Sequence, residues 1–354
     1  MIERDRYDAV IVGGSFAGLS AAIYLGRARR SVLVLDTGAP RNRFADASHG
    51  FFAQDGADPR TMIATMRAQV AAYPTIDFLD QTARQAVRRN AGFSVTTANG
   101  DVVEGATLLL AHGISDILPD LPGLAERWGK SVIHCPYCHG YEFSGRKLGV
   151  LNLSPMSLHQ AILVPEWGPT TFFLNGGEID SEAAADLARR GVSVEPAPVE
   201  ALVGEGSSLA AVRLADGREH PLDALFIGPR YRLNSDLAEQ LGCAVDEGQL
   251  GSTVRVDEMK ATNVTGVYAA GDVTRLGHTV TFACADGVTA ALAIHRSLAF
   301  GAAAGRRISL HPSQTPQRSP PMSRTLRARC RACRTCIGWR CCCWRSTHRA
   351  RRTY

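Results

Sequence analysis

The chain has 354 residues, enough for two domains with separate cores, and its 45% hydrophobic and 21% charged residues are typical of a globular protein rather than a membrane-spanning or disordered one. Its net charge of +5 comes from residues 302–354, which hold 13 of the 39 Lys and Arg residues and no Asp or Glu. The other residues carry 26 basic and 34 acidic side chains, a net charge of −8 that gives no reason to expect nucleic acid as a partner.

The first elements follow a βαβ pattern, with strands predicted over residues 7–12 and 31–36 and a helix over residues 18–29. In "VIVGGSFAGLSAA", Gly13 and Gly18 take the outer positions of a dinucleotide-binding fingerprint, Ser15 takes the middle one, and Gly14 lies between them. Asp36 ends the second strand 18 residues after Gly18, where a carboxylate meets a ribose. A nucleotide site is predicted; a glycine turn that serves only packing is the alternative.

The middle of the chain predicts a hairpin, "FSVTTANGDVVEG", a separate buried strand, "ATLLLAHG", and a proline-rich connection over residues 118–123. A second strand-turn-helix unit, "KLGVLNLSPMSLHQAILV", starts a new α/β pattern whose strands run to about residue 229. The chain then returns to the pattern of the first unit with "GVYAAGDV" and a helix from Thr281 to about Leu298. We expect Gly271, Asp272 and the start of this helix at Thr281 to contact a second part of a long ligand such as FAD.

These elements predict an α/β fold of two three-layer Rossmann-like domains, ββα/α-β-α, with the second inserted into the first. Residues 1–117 and 246–301 are assigned to an FAD-binding domain, and residues 118–245 to an NAD(P)H-like domain that carries the cysteine pair. Residues 302–354 have no apolar period, so a disordered, basic, cysteine-rich tail is expected. A binding arm for RNA or a membrane surface, a CxxCxxC metal site and a non-native, out-of-frame extension are the interpretations weighed for it.

The stretch "SVIHCPYCHGYEFSG" places Cys135 and Cys138 two residues apart, with His134 before the pair and His139 after it. Such a pair can close a reversible disulfide, and neighbouring imidazoles can stabilise its thiolate. A zinc site needs a second ligand pair, which residues 1–301 do not offer at metal spacing, so no metal is expected. Cys243 and Cys284 are isolated and are expected to be core residues.

With these motifs, residues 5 to about 300 resemble the low-molecular-weight thioredoxin reductase family of FAD-dependent disulfide oxidoreductases. "CPYCHGYE" is similar to the subgroup that contains dithiol oxidases of the gliotoxin type. The resemblance implies FAD at Gly13, Ser15, Gly18 and Asp36, and Asp272 near its ribitol. It also implies Cys138 facing the flavin, Cys135 facing the substrate, His139 as the acid–base group in place of the more usual aspartate, and a homodimer.

A second glycine-rich turn for NADPH is missing, because "NLSPMSLHQA" follows the strand "KLGVLNL" and no glycine lies between Gly149 and Gly168. NADPH is therefore an uncertain cofactor, and a small-molecule dithiol or disulfide or a thioredoxin-like protein is the expected partner. The predicted function is a two-electron relay between the Cys135–Cys138 disulfide and FAD that oxidises a small-molecule or protein dithiol, or that is fed by another non-nicotinamide donor such as ferredoxin or a reduced flavin. An NADPH-dependent thioredoxin-disulfide reductase and a non-catalytic flavin-binding protein are the alternatives. The N-terminal stretch carries two acidic residues before its first apolar run and no signal-like segment, which predicts a cytoplasmic protein.

Overall fold

A computed structural model describes residue 4 and residues 6–301 of the chain. The predicted tail, residues 302–354, lies outside the described residues. Among the helices of the described part, none combines the length and the apolar run that a membrane crossing requires.

The first third of the chain forms most strands of one sheet, the helices that cover it and a separate strand, β7. Its elements are β1 (Tyr7–Val12), α1 (Phe16–Arg27), β2 (Val32–Leu35), α2 (Pro59–Ala71), β3 (Ile76–Leu79), β4 (Ala83–Arg89), β5 (Gly92–Thr97), β6 (Val102–Leu110) and β7 (Ile114–Ile117). The strands predicted over residues 7–12 and 31–36 are confirmed as β1 and β2, and α1 begins two residues earlier than expected, with Ser15 at its N-cap.

The middle of the chain builds a second sheet. Its elements are β8 (Val132–Ile133), α3 (Pro136–His139), β9 (Leu148–Leu151), α4 (Met156–Leu163), β10 (Thr170–Phe173), α5 (Ser181–Arg189), β11 (Ser193–Glu195), β12 (Val199–Val203), β13 (Ala211–Leu214), β14 (Glu219–Pro221) and β15 (Ala224–Ile227). The chain then returns to the first domain with β16 (Arg230–Leu233), α6 (Leu237–Gln240), β17 (Val245–Glu247), β18 (Ser252–Val254), β19 (Val267–Ala269) and α7 (Val280–Phe300). Of these strands β19 joins the first sheet, whereas β17 and β18 pair with each other.

The first sheet has the strand order β3-β2-β1-β6-β5-β4, and β19 also pairs with β6. We predicted the end of the hairpin and the buried strand "ATLLLAHG" as separate strands, which is wrong, because β6 is one continuous strand. Its first half pairs antiparallel with β5, and its second half pairs parallel with β1 and β19. One strand thus belongs both to a β-meander and to the parallel sheet, as in a ββα domain.

The second domain is a parallel sheet in the order β11-β10-β9-β15-β8, with an antiparallel sheet β12-β13-β14 beside it. Both large sheets are buried on their two faces, since apolar residues on opposite faces of β1, such as Val10 and Ile11, belong to different core clusters. Continuous apolar strands of this kind are typical of parallel sheets covered on both sides. The predicted fold class, two Rossmann-like domains with the second inserted, is confirmed.

The chain passes between the two domains at an antiparallel pair formed by β7 and β16. Beyond β16, Leu237, Ala238 and Cys243 pack into the core of the first sheet. We therefore propose that the return to the first domain lies near Gly228, before the predicted boundary at residue 245.

Candidate active site

The glycine turn after β1 is closed too tightly for side chains. A Cβ atom on Gly13, whose φ is +111°, would lie 2.1 Å from the carbonyl oxygen of Ala111, and one on Gly18 would lie 1.8 Å from the carbonyl oxygen of Gly13. The side chain of Ser15 makes no capping hydrogen bond at the start of α1. The main-chain N–H groups at this helix end are thus open to an anionic ligand.

Asp36 follows β2 and lies against this turn. Its Oδ1 accepts a hydrogen bond of 3.0 Å from the Gly14 N–H, and its Oδ2 lies 3.7 Å from a guanidinium nitrogen of Arg67. The carboxylate is held in place by the turn that binds the phosphate in a dinucleotide site. This is the position that a ribose-binding carboxylate needs.

The returning segment brings Gly271 and Asp272 to α1. Gly271 has a φ of +84°, and a Cβ atom on it would lie 2.9 Å from the Cβ of Ala17. Thr281 lies exposed in the first turn of α7, while the side chain that caps this helix is Thr279, which accepts from the N–H of Phe282. The predicted helix start was therefore slightly late.

Asp272 belongs to a buried ion-pair cluster that the sequence did not indicate. Arg41 makes two hydrogen bonds to Asp116, of 2.9 and 2.6 Å, and one of 3.4 Å to Asp272. Burial alone would raise the pKa of Asp116, but Arg41 overcomes this and holds it below its usual value. Arg41 begins a short 3-10 helix, Arg41–Phe44, and Asp116 stands in β7, and neither position carries a sequence signal.

Three buried polar atoms in this part of the first domain have no hydrogen-bond partner among the described residues. Tyr231 Oη and His278 Nε2 lie near the cluster, and His112 Nε2 belongs to a residue whose main-chain nitrogen lies against Gly13. The rings of Tyr231 and His278 are perpendicular with centroids 5.3 Å apart, and the charges of Asp272 and Arg41 both act on His278. Unpaired buried polar atoms are costly, so a long polar ligand that reaches from the glycine turn to Asp272 fits this region. FAD is such a ligand.

Cys135 and Cys138 form a disulfide, with Cys135 at the N-cap of the single-turn helix α3. The N–H of Cys138 donates to the carbonyl of Cys135 at 3.2 Å. The pair is fixed to the second domain, because the side-chain amide of Gln160 on α4 donates to the carbonyl of His134 at 2.7 Å. Cys243 is buried and Cys284 half-buried, away from any disulfide, and burial raises the pKa of both thiols.

The two histidines that flank the cysteine pair are uncharged at neutral pH. Burial, with Arg41 nearby, lowers the pKa of His134 to about 3. Burial also lowers the pKa of His139, and the neighbouring His49 adds to this, while Glu142 acts in the opposite direction. A neutral imidazole beside the disulfide can accept a proton from a thiol.

His49 is a residue that sequence reasoning missed. It lies in the loop before α2, and its ring is perpendicular to that of His139 with centroids 6.0 Å apart. Its Nε2 is 3.4 Å from Glu142 Oε1, and its Nδ1 is 3.7 Å from Asp55 Oδ1. Only the tertiary fold brings this loop of the first domain to the cysteine segment.

The turn after β9 is filled by its own side chains. Ser157 Oγ accepts hydrogen bonds from the N–H groups of Leu153, at 3.0 Å, and Ser154, at 3.2 Å. Arg189 and Arg190 pair with Asp186 on their own helix. The N–H groups of Leu153 and Ser154 are therefore already hydrogen-bonded and are not free to receive a pyrophosphate.

Two buried histidines predict a pH-dependent stability. Burial lowers the pKa of His112 to about 4 and that of His134 to about 3. An unfolded histidine has a pKa of about 6.5, so the unfolded chain binds more protons below that pH. We expect the free energy of unfolding to fall as the pH is lowered from about 6.5 to 4, by up to about 1.4 kcal/mol per pH unit for each histidine.

Urea unfolding at a series of pH values measures this slope. The variant His134→Asn should show a shallower slope than the wild type, and His159→Asn, at an exposed histidine, should not. Identical slopes in all three proteins would show that His134 is not held neutral by the fold.

Comparison with known proteins agrees with this geometry. A family model described as pyridine nucleotide-disulphide oxidoreductase matches residues 7–151 and 172–287. Thioredoxin reductase tcpT of Claviceps purpurea is 33% identical over 280 residues, which cover 75% of this chain and 86% of that protein. The crystal structure of an oxidoreductase from Agrobacterium tumefaciens is 46% identical with a TM-score of 0.80, covering 84% of this chain and 99% of its own. The crystal structure of HlmI is 34% identical with a TM-score of 0.80, covering 86% and 96%.

Proposed function

The chain belongs to the pyridine nucleotide-disulphide oxidoreductase family, and we propose that within it the protein is an FAD-dependent dithiol oxidase. The family resemblance that the sequence predicted is confirmed, and with it a thioredoxin reductase-like enzyme that acts on thiols and disulfides. The proposal adds the direction of electron flow: electrons enter from a dithiol at Cys135–Cys138 and not from NADPH.

The observation that carries this proposal is the closed turn after β9. The hydroxyl of Ser157 takes the N–H groups that would otherwise receive the NADPH pyrophosphate. In the first domain, in contrast, no side chain caps the start of α1, and His112, Tyr231 and His278 each have a buried polar atom without a hydrogen-bond partner among the described residues. This contrast between the two turns supports the thiol side as the source of electrons.

The residues proposed to hold FAD fall into two groups. Gly13, Gly14, Ser15, Gly18 and Asp36 surround its nucleotide half, and Gly271, Asp272 and Thr281 lie at the second contact. When bound, FAD supplies the oxidant that restores the disulfide, with molecular oxygen as final acceptor, reduced to hydrogen peroxide. We also propose that the protein forms a homodimer.

In the proposed reaction a substrate thiolate attacks Cys135 Sγ, and the Cys135–Cys138 bond breaks to leave Cys138 as a thiolate. The second substrate thiolate then attacks the substrate sulfur of this mixed disulfide, so that Cys135 leaves and the substrate departs as a disulfide. His139 accepts the proton of a substrate thiol, because burial keeps its imidazole neutral.

Exposed aromatic side chains support an organic substrate with apolar surface. Tyr137, between the two cysteines, is 75% exposed, Tyr141 is 82% exposed, and Phe52, in the loop that carries His49, is 96% exposed. Exposed aromatic groups beside a reactive centre offer a surface for an apolar ligand. NADPH-dependent reduction of a thioredoxin-like protein is the alternative, supported by the name of the Claviceps purpurea relative.

An anaerobic reduction experiment tests the proposal. The flavin absorbance of the purified holoprotein is followed after addition of dithiothreitol, and separately of NADPH or NADH. We expect rapid bleaching by dithiothreitol that air reverses, and none by the nicotinamides on the same timescale. Rapid bleaching by NADPH would contradict a dithiol-driven enzyme and favour a thioredoxin reductase.

A further inference from the structure

We propose that His49 is a positioning residue that holds the His139 imidazole and carries its proton to the surface through Asp55. The inference rests on the proposed dithiol oxidation, which it extends by naming the route of the proton.

The loop that carries His49 is held in one shape. The N–H of Ser48 donates to the carbonyl of Ala57 at 2.8 Å, and the N–H of Gly56 donates back to the carbonyl of Ser48 at 2.9 Å. Within the loop, Asp55 Oδ1 accepts from the N–H of Gly50 at 2.8 Å. These bonds close the loop at its base next to His49, so the imidazole is presented by a fixed backbone.

The polar groups form a series whose exposure increases away from the disulfide. His139 is half-buried next to Cys138, the side chain of His49 is 20% exposed, and that of Asp55 is 72% exposed. His49 Nδ1 lies 3.7 Å from Asp55 Oδ1, and its Nε2 lies 3.4 Å from Glu142 Oε1. Small side-chain movements bring these two contacts to hydrogen-bond length, and a water can bridge the ring nitrogens of His49 and His139, which lie within 4.8 Å of each other. The series connects the reaction centre to solvent.

The chemistry requires such a route. Oxidation of one dithiol to a disulfide releases two electrons and two protons; the electrons reduce the Cys135–Cys138 disulfide, and the protons leave the thiols separately, one of them by way of His139. These protons are consumed again when oxygen is reduced to hydrogen peroxide, and between the two steps the proton on His139 is exchanged with solvent. His139 must lose its proton before the next turnover, and His49 is the imidazole next to it.

Among the described residues, few charged or titratable groups lie near the imidazoles of His49 and His139. His139 faces His49, Glu142 and, farther away, His134, while His49 faces Asp55, Glu142 and His139. Asp55 and Glu142 lie beside His49, whereas burial lowers the pKa of His139. A proton accepted by His139 is therefore readily given up.

The test measures oxygen consumption by the full-length holoenzyme with dithiothreitol as substrate, across about pH 5 to 9. For His49→Ala we expect kcat to fall about tenfold with KM little changed, a shift of the acidic limb of the kcat profile, and partial rescue by added imidazole. Asp55→Asn should show a smaller loss in the same direction. His159→Ala, at an exposed histidine of α4, is the matched control and should behave as wild type.

The outcomes separate the two proposals. An unchanged kcat and pH profile in His49→Ala, with wild-type oxidation intact, overturns the relay and leaves the proposed function standing. Because His49, His139 and Glu142 offer atoms within 4.8 Å of one another, loss of wild-type activity on adding EDTA also overturns the relay in favour of a bound metal. No oxidation of dithiothreitol by the wild type would overturn both proposals.

Discussion

Replacement of Cys135 with serine is expected to abolish dithiol-dependent reduction of the flavin, with a loss of about 10³-fold or more in rate. In the proposed reaction Cys135 supplies the sulfur that a substrate thiolate attacks, and a serine hydroxyl cannot form or exchange a disulfide. The measurement is anaerobic stopped-flow absorbance of the flavin with dithiothreitol, together with oxygen consumption in air.

Cys284→Ser is the matched control, because this thiol is half-buried on α7 and forms no disulfide. It should keep wild-type rates and flavin content. Cys138→Ser adds a second readout: Cys135 stays free to attack a disulfide, and without Cys138 the resulting mixed disulfide should persist and be visible by mass spectrometry. Flavin reduction at wild-type rate in Cys135→Ser would show that electrons reach the flavin without this disulfide.

The second large effect is expected from replacement of Gly18 with alanine, which should yield a protein that has lost its bound flavin. The added Cβ would lie 1.8 Å from the carbonyl oxygen of Gly13, a backbone atom that cannot move without opening the turn. The turn itself is fixed, since the N–H of Gly13 donates to the carbonyl of Leu35 at 2.8 Å. We expect FAD affinity to fall by about 100-fold or more, corresponding to about 3 kcal/mol.

The flavin-to-protein ratio of the purified protein and a titration with FAD measure this loss, and circular dichroism reports whether the fold survives. Gly277→Ala is the matched control, because the nearest atom to its Cβ would be 3.9 Å away on Phe282. Asp36→Asn tests the same site without steric strain and should weaken FAD binding by about tenfold. Stoichiometric flavin in Gly18→Ala and full affinity in Asp36→Asn would together place the flavin elsewhere.

The sequence predicted those elements that depend on residues close together in the chain. The apolar run over Tyr7–Val12, the glycines of the following turn and the CxxC spacing each depend on residues only a few positions apart. They sufficed for the fold class, the family and the redox pair. The absence of a glycine after β9 could also be seen in the sequence. The structure added that the hydroxyl of Ser157 accepts the N–H groups of this turn.

The surroundings of the site were decided only by the tertiary structure. Arg41 meets Asp116 and Asp272 across sequence separations of 75 and 231 residues, and no period or motif links such positions. The same holds for His49, which reaches His139 only because the loop before α2 folds over the cysteine segment. Local patterns determine where strands, turns and reactive thiols lie, whereas the charges and imidazoles around them are set by packing between distant segments.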